Sequence, residues 1–119
     1  MISSSRIDEI SQRLSDELGS HISKITTNFR GRIRISFGEG KFLDIRYPRD
    51  DSYSFHFQSM DNEYRIDCAP HHNSLGTFPN HFHKNDDILD DRWTDPQNSL
   101  SENLEGLANW IKDEILPLL

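Results

Sequence analysis

The sequence predicts an α+β fold: an antiparallel meander of four to five strands, with an N-terminal and a C-terminal helix packed on one face. Three observations predict it. Apolar residues recur at helical spacing near both ends of the chain. From Lys24 to Cys68 the period changes to two, as in half-buried strands. The connections between the alternating runs are short, which favours hairpins over crossovers. A length of 119 residues fits one domain, residues 1–119. Apolar residues are only 34%, so a thin core is expected, with the sheet covered on one face.

The first helix is expected to start at a Ser4 or Ser5 cap and to run to about Leu18. Ile7, Ile10, Leu14 and Leu18 share one face, Asp8, Glu9, Arg13 and Asp16 take the other, and Gly19 is placed to end it. Ile25, Thr27 and Phe29 then alternate with polar residues, and the same phase continues past Gly31 as Ile33, Ile35 and Phe37. This stretch is either one strand kinked at Gly31 or a hairpin turning there. Gly38-Glu39-Gly40 is a turn. Leu43, Ile45 and Tyr47, then Tyr53, Phe55 and Phe57, then Tyr64, Ile66 and Cys68 supply three more inward-facing sets. Residues 77–84 suggest one further short strand, kept to an edge by Pro79. Residues 85–98 read as an acidic loop anchored by Trp93. Ser99 and Glu102 fit a capping box for a final helix, with Leu100, Leu104, Leu107, Ile111 and Ile115 as its apolar stripe and Ala108 and Trp110 at its edges. Pro117 is placed to end it.

A single cysteine, Cys68, rules out an intramolecular disulfide and fits a reducing compartment. It shares the phase of Tyr64 and Ile66, which assigns it to the core. No stretch approaches the ~18 apolar residues of a membrane span, and no signal-like run opens the chain. A cytoplasmic protein away from membranes is expected. The formal net charge of −7 argues against a general nucleic-acid coat. The charge is unevenly spread, however. Residues 24–49 are rich in Lys and Arg, whereas residues 85–119 are strongly acidic. One sheet face is expected to collect Arg32, Arg34, Asp44, Arg46, His56, Arg65 and Asp67. Cross-strand charge pairing would explain it. So would a basic surface for an anionic ligand, with the acidic region meeting a basic partner.

Four of the six histidines lie between His71 and His83, in a segment shaped by Pro70, Gly76 and Pro79. If the chain is extended there, His81 and His83 leave the same face ~7 Å apart. His71, His81 and His83, with Asp67 or His72 in support, are candidate ligands for a divalent metal such as Zn or Mn. The spacing matches no closed zinc-finger pattern. The metal-free alternative uses histidines as general base and general acid on RNA, a pair needing ~6–8 Å between them. Arg32, Arg34 and Arg46 would then hold phosphate and stabilise its developing charge. A purely structural reading makes His71 and His72 loop caps and packs His83 on Trp93 or on the sheet edge.

Tyr64-Arg65-Ile66-Asp67-Cys68-Ala69-Pro70-His71-His72, with Thr77-Phe78-Pro79-Asn80-His81-Phe82-His83, resembles the TumE family. These are small proteins regarded as toxins of toxin–antitoxin pairs. The matching positions are Arg65, Asp67, Pro70, His71, His72, Phe78, Pro79, His81 and His83. Cys68, Asn80 and Phe82 depart from the family pattern, the last two standing where it has His and Lys. A phenylalanine in place of that lysine is expected to remove a positive charge from the site. The resemblance implies a cytoplasmic toxin neutralised by an antitoxin with a DNA-binding part. It also implies that Asp67, His71, His81 and His83 belong to one site, to which Arg65 and His72 are added as candidate catalytic residues. It leaves the reaction open between RNA cleavage and a non-catalytic protein- or metal-binding module, and it leaves open a homodimer.

Overall fold

The computed structural model describes residues 3–68 and 80–119. His71, His72 and the rest of residues 69–79 lie outside the described residues. The fold is α+β, as the periodicities predict, but the sheet has seven strands where four to five were expected. They are β1 (Lys24–Thr27), β2 (Ile33–Gly38), β3 (Lys41–Arg49), β4 (Ser52–Gln58), β5 (Glu63–Asp67), β6 (His81–Lys84) and β7 (Asp87–Leu89). Each pairs antiparallel with its neighbours in the chain, in the order β1 to β7.

Two segments account for the additional strands, and at the first the structure decides between the two alternatives the periodicity left open. Residues 24–37 form a hairpin and not a kinked strand: β1 pairs with β2 from Lys24–Ser36 to Thr27–Ile33. The turn between them is fixed by the Asn28 side chain, whose oxygen accepts from the backbone N–H of both Arg30 and Arg32 at 3.0 Å. Gly31 supplies the positive φ of 85° that such a turn needs. Phe29 therefore sits at the tip and is 80% exposed, instead of continuing the apolar phase. The second is β7, which was not foreseen and turns the predicted acidic loop into a hairpin with β6. Hence β6 is an interior strand and not an edge.

Helix α1 (Ser4–Leu18) is capped by Ser3, one residue earlier than expected, and buries Ile10, Leu14 and Leu18. Gly19 does not end it in a left-handed conformation; its φ is −50° and the chain tightens into a single 3₁₀ turn to His21. Helix α2 (Leu100–Trp110) has the complete Ser99/Glu102 capping box, then widens into a π turn over Ile111–Ile115 and a 3₁₀ turn over Leu116–Leu118. Trp110 and Ala108 are central to its buried face, where an edge position was expected. Both helices cover the sheet face carrying Ile33, Ile35, Leu43, Ile45, Phe55, Phe57, Ile66 and Phe82. Cys68 is half-buried and packs against this core.

One core position sets the phase of β6. The Phe82 ring makes edge-on contacts with Tyr64, Trp93 and Trp110, at centroid distances of 5.8, 5.4 and 5.8 Å. Burying a phenylalanine this completely is worth about 2–3 kcal/mol. With Phe82 turned inward, His81 and His83 must turn outward.

Candidate functional site on the open face of the sheet

The face of the sheet opposite the helices is built by register. One row of paired residues runs Arg34, Asp44, His56, Arg65, His83 across β2 to β6. The next row runs Arg46, Ser54, Asp67, His81 across β3 to β6. Adjacent strands lie ~4.8 Å apart, so Arg65, Asp67, His81 and His83 are mutual neighbours. The predicted polar face is real, and His81 and His83 lie on its side of the sheet, His81 buried there and His83 half-buried.

The charged groups divide into occupied and available ones. Asp44 accepts two hydrogen bonds from Arg34, from Nε at 2.8 Å and from Nη2 at 2.9 Å. Arg34 also stacks on Phe42, 3.9 Å from the ring centroid. Asp44 strengthens the hold of Arg34 on its proton, raising its pKa. The expected phosphate ligand Arg34 is thus committed to cross-strand pairing. Arg32 is more loosely placed, 3.9 Å from Asp44. Arg46 has no ion-pair partner among the described residues and is exposed. His56 Nε2 lies 3.1 Å from Glu63. Arg65 Nε lies 3.6 Å from Asp67, on the same strand.

The histidines are closer together than backbone spacing alone suggests. The rings of His81 and His83 meet edge to face, with centroids 4.7 Å apart and an interplanar angle of 78°. His81 is buried, at 1% exposure, while His83 is half-buried. His83 does not pack on Trp93, which lies on the helix side with Phe82. For the same reason Phe82 takes no charge away from the histidine face. Among the described residues, no three His, Cys, Asp or Glu side chains converge as metal ligands would. The predicted trio of His71, His81 and His83 includes a residue outside that set.

Beside Asp67 the β3–β4 end opens a shallow groove of about 440 Å³, lined by Arg46, Arg49, Ser54, Asp67 and Cys68 among others. A register shift between Arg46 and Arg49 shapes it. The Cys68 sulfur accepts from the Tyr53 N–H at 3.3 Å. Burial pushes the thiol's pKa up, which keeps it protonated and unreactive.

Sequence reasoning missed the polar knot that holds the start of β6. Asn80 is buried, and its side-chain nitrogen lies 2.7 Å from Asp91 Oδ2, 2.7 Å from the Tyr53 hydroxyl and 3.0 Å from the Thr94 carbonyl. Asp91 also accepts from the Thr94 hydroxyl and from the backbone N–H of Trp93 and Thr94. Burial raises the pKa of Asp91, and these hydrogen bonds oppose the rise. The available signal was Asp91-Arg92-Trp93-Thr94, whose aspartate-to-threonine spacing suits a self-bonding turn. Asn103 does a similar service at α2, donating to the Tyr47 hydroxyl at 2.9 Å and to the Asp95 carbonyl at 2.8 Å.

The fold and this face define a small α+β protein with a basic, histidine-bearing sheet surface. A family model described as Toxin TumE matches residues 6–115, and the chain belongs to that family. It is accordingly a toxin of a toxin–antitoxin pair, with an antitoxin as its partner. Comparison with curated proteins and with solved structures gave no match. No helix among the described residues is long and apolar enough to cross a membrane.

Proposed function

We propose that this toxin cleaves RNA at the open sheet face, around His83. The observation that carries the reading is the register: Arg65, Asp67, His81 and His83 are neighbours on two strands, fixed in phase by Phe82. Rigid strands hold groups more precisely than loops, as acid–base chemistry requires. His83, the more accessible ring, faces the substrate. His81 lies behind it, across from Asp67, and acts as a positioning residue. Rings in contact at 4.7 Å cannot straddle one phosphate, so the reading pairs His83 with His71 or His72.

In this chemistry one imidazole removes the proton of a 2′-hydroxyl, and that oxygen bonds to phosphorus. The bond from phosphorus to the 5′-oxygen breaks, and the second imidazole protonates the departing oxygen. A cyclic phosphate and a 5′-hydroxyl result. Arg65 and Arg46 offset the charge that builds on the phosphoryl oxygens.

The test is cleavage of total RNA by purified protein with and without EDTA, using His83→Ala, His81→Ala and His71→Ala/His72→Ala. Loss of one acid–base partner slows such a step by about 10²–10⁴-fold. EDTA-resistant cleavage that falls by that factor in His83→Ala, at unchanged melting temperature, is the expected result. EDTA-sensitive cleavage would instead make the histidines metal ligands. Full growth arrest by a His81→Ala/His83→Ala double variant would end the histidine mechanism.

A further inference from the structure

We propose that the β1–β2 turn is a base-stacking platform for single-stranded RNA, reached along a row of arginines from the histidine face. This rests on the RNA reading above and extends it to a substrate class and a direction. Phe29 is 80% exposed on a turn that Asn28 and Gly31 already fix, so the fold does not require an aromatic there. A single exposed aromatic is ordinary. Its neighbours make this one unusual. Arg30 lies 5.3 Å from the Phe29 ring. Arg32 follows, immediately before the Ile33–Ile45 pair, and Arg46 stands next to Ile45 on β3 at the same end of the sheet. Asp44 lies 3.9 Å from Arg32, while Arg46 has no ion-pair partner among the described residues.

The row containing Arg46, Asp67 and His81 continues from that same end of the sheet. The groove lined by Arg46, Arg49 and Asp67 lies along it. From β2 to β6 is four strand spacings, ~19 Å. That length accommodates about four nucleotides of single strand, the small end of known site sizes. A basic track with an aromatic at its far end suits a single strand, whose unpaired bases can stack. A duplex keeps its bases stacked on each other and gains nothing from Phe29.

The experiment measures binding of a six-nucleotide 2′-O-methyl RNA, which lacks the attacking hydroxyl, by fluorescence anisotropy. A dinucleotide and a duplex serve as comparisons. Phe29→Ala should weaken hexamer binding about ten-fold and leave the dinucleotide and duplex unchanged. Arg46→Gln should reduce the salt dependence of hexamer binding by about 0.7 in the log–log slope. Cleavage of ordinary RNA with wild-type hexamer affinity in Phe29→Ala would overturn this inference alone. An equal loss on dinucleotide and hexamer would also overturn it. So would unchanged RNA affinity combined with lost neutralisation by the antitoxin, which would make the turn a protein contact. Absence of any RNA binding by the wild-type chain would overturn both this inference and the RNA reading.

Discussion

Replacing Asn80 by alanine should damage both stability and activity, although Asn80 bears no reactive group. The side chain sits immediately before His81 and is 1% exposed. Its nitrogen donates to Asp91 and lies against the Tyr53 hydroxyl, each at 2.7 Å. Tyr53 can still donate to Thr94 at 3.0 Å after the change. Asp91 keeps its backbone donors but loses a hydrogen bond to a buried carboxylate. Such a bond is worth about 1.5–3 kcal/mol. Adding the small void left by the amide, the loss should be about 2–4 kcal/mol. In a domain of this size that lowers the melting temperature by roughly 10 °C. Urea unfolding and thermal melting at neutral pH would measure it. On the proposed RNA mechanism, cleavage should also fall at temperatures where the variant is folded, because the start of the histidine strand is no longer anchored. Asn80→Ala/Asp91→Ala should be less damaged than the sum of the single variants by about 1 kcal/mol or more. A melting temperature within about 2 °C of wild type, or strict additivity, would refute the role assigned to the knot.

Two further predictions concern the same region. Because burial raises the Asp91 pKa, the folded chain keeps a proton there that the unfolded chain releases, starting near the ordinary aspartate value of about 3.9. The contribution of Asp91 to stability is therefore greatest in acid and falls as pH rises through its folded pKa. Urea unfolding from pH 4 to 7 should show wild type losing ground to Asp91→Asn as pH rises; parallel curves would contradict it. Gly106→Ala places a methyl group against the Trp93 carbonyl oxygen, a backbone atom that cannot swing away. It should destabilise by about 1–3 kcal/mol although alanine is the better helix former, and a more stable variant in thermal melting would contradict it.

The core strands were legible because alternation and burial coincide: Leu43, Ile45, Phe55, Phe57 and Ile66 all point where period two puts them. The β1–β2 turn was legible only as one of two alternatives, because Phe29 keeps the apolar phase while the decisive signal is one asparagine side chain bonding two backbone N–H groups. Strand β7 has three exposed residues and no inward-facing set to betray it. On the histidine face the sequence revealed which residues share a side but not which are already committed. Arg34 and Arg46 look alike on paper. Only the register shows that Asp44 stands beside the first. Asn80 looked like a lost histidine; its place in a buried network depends on Asp91 and Thr94, which are close only after β6 and β7 have folded back.

The contacts of Phe82 with Tyr64, Trp93 and Trp110 bear on how this toxin is lost by mutation. If toxicity resides in the histidine face as proposed, a cell escapes poisoning by any change that turns the histidines out of place. A genetic selection for survivors would then return substitutions on the helix side of β6 as readily as at His83 itself. In such a survey Phe82 would be indistinguishable from a reactive residue. Separating the two takes a soluble-protein assay alongside the survival count.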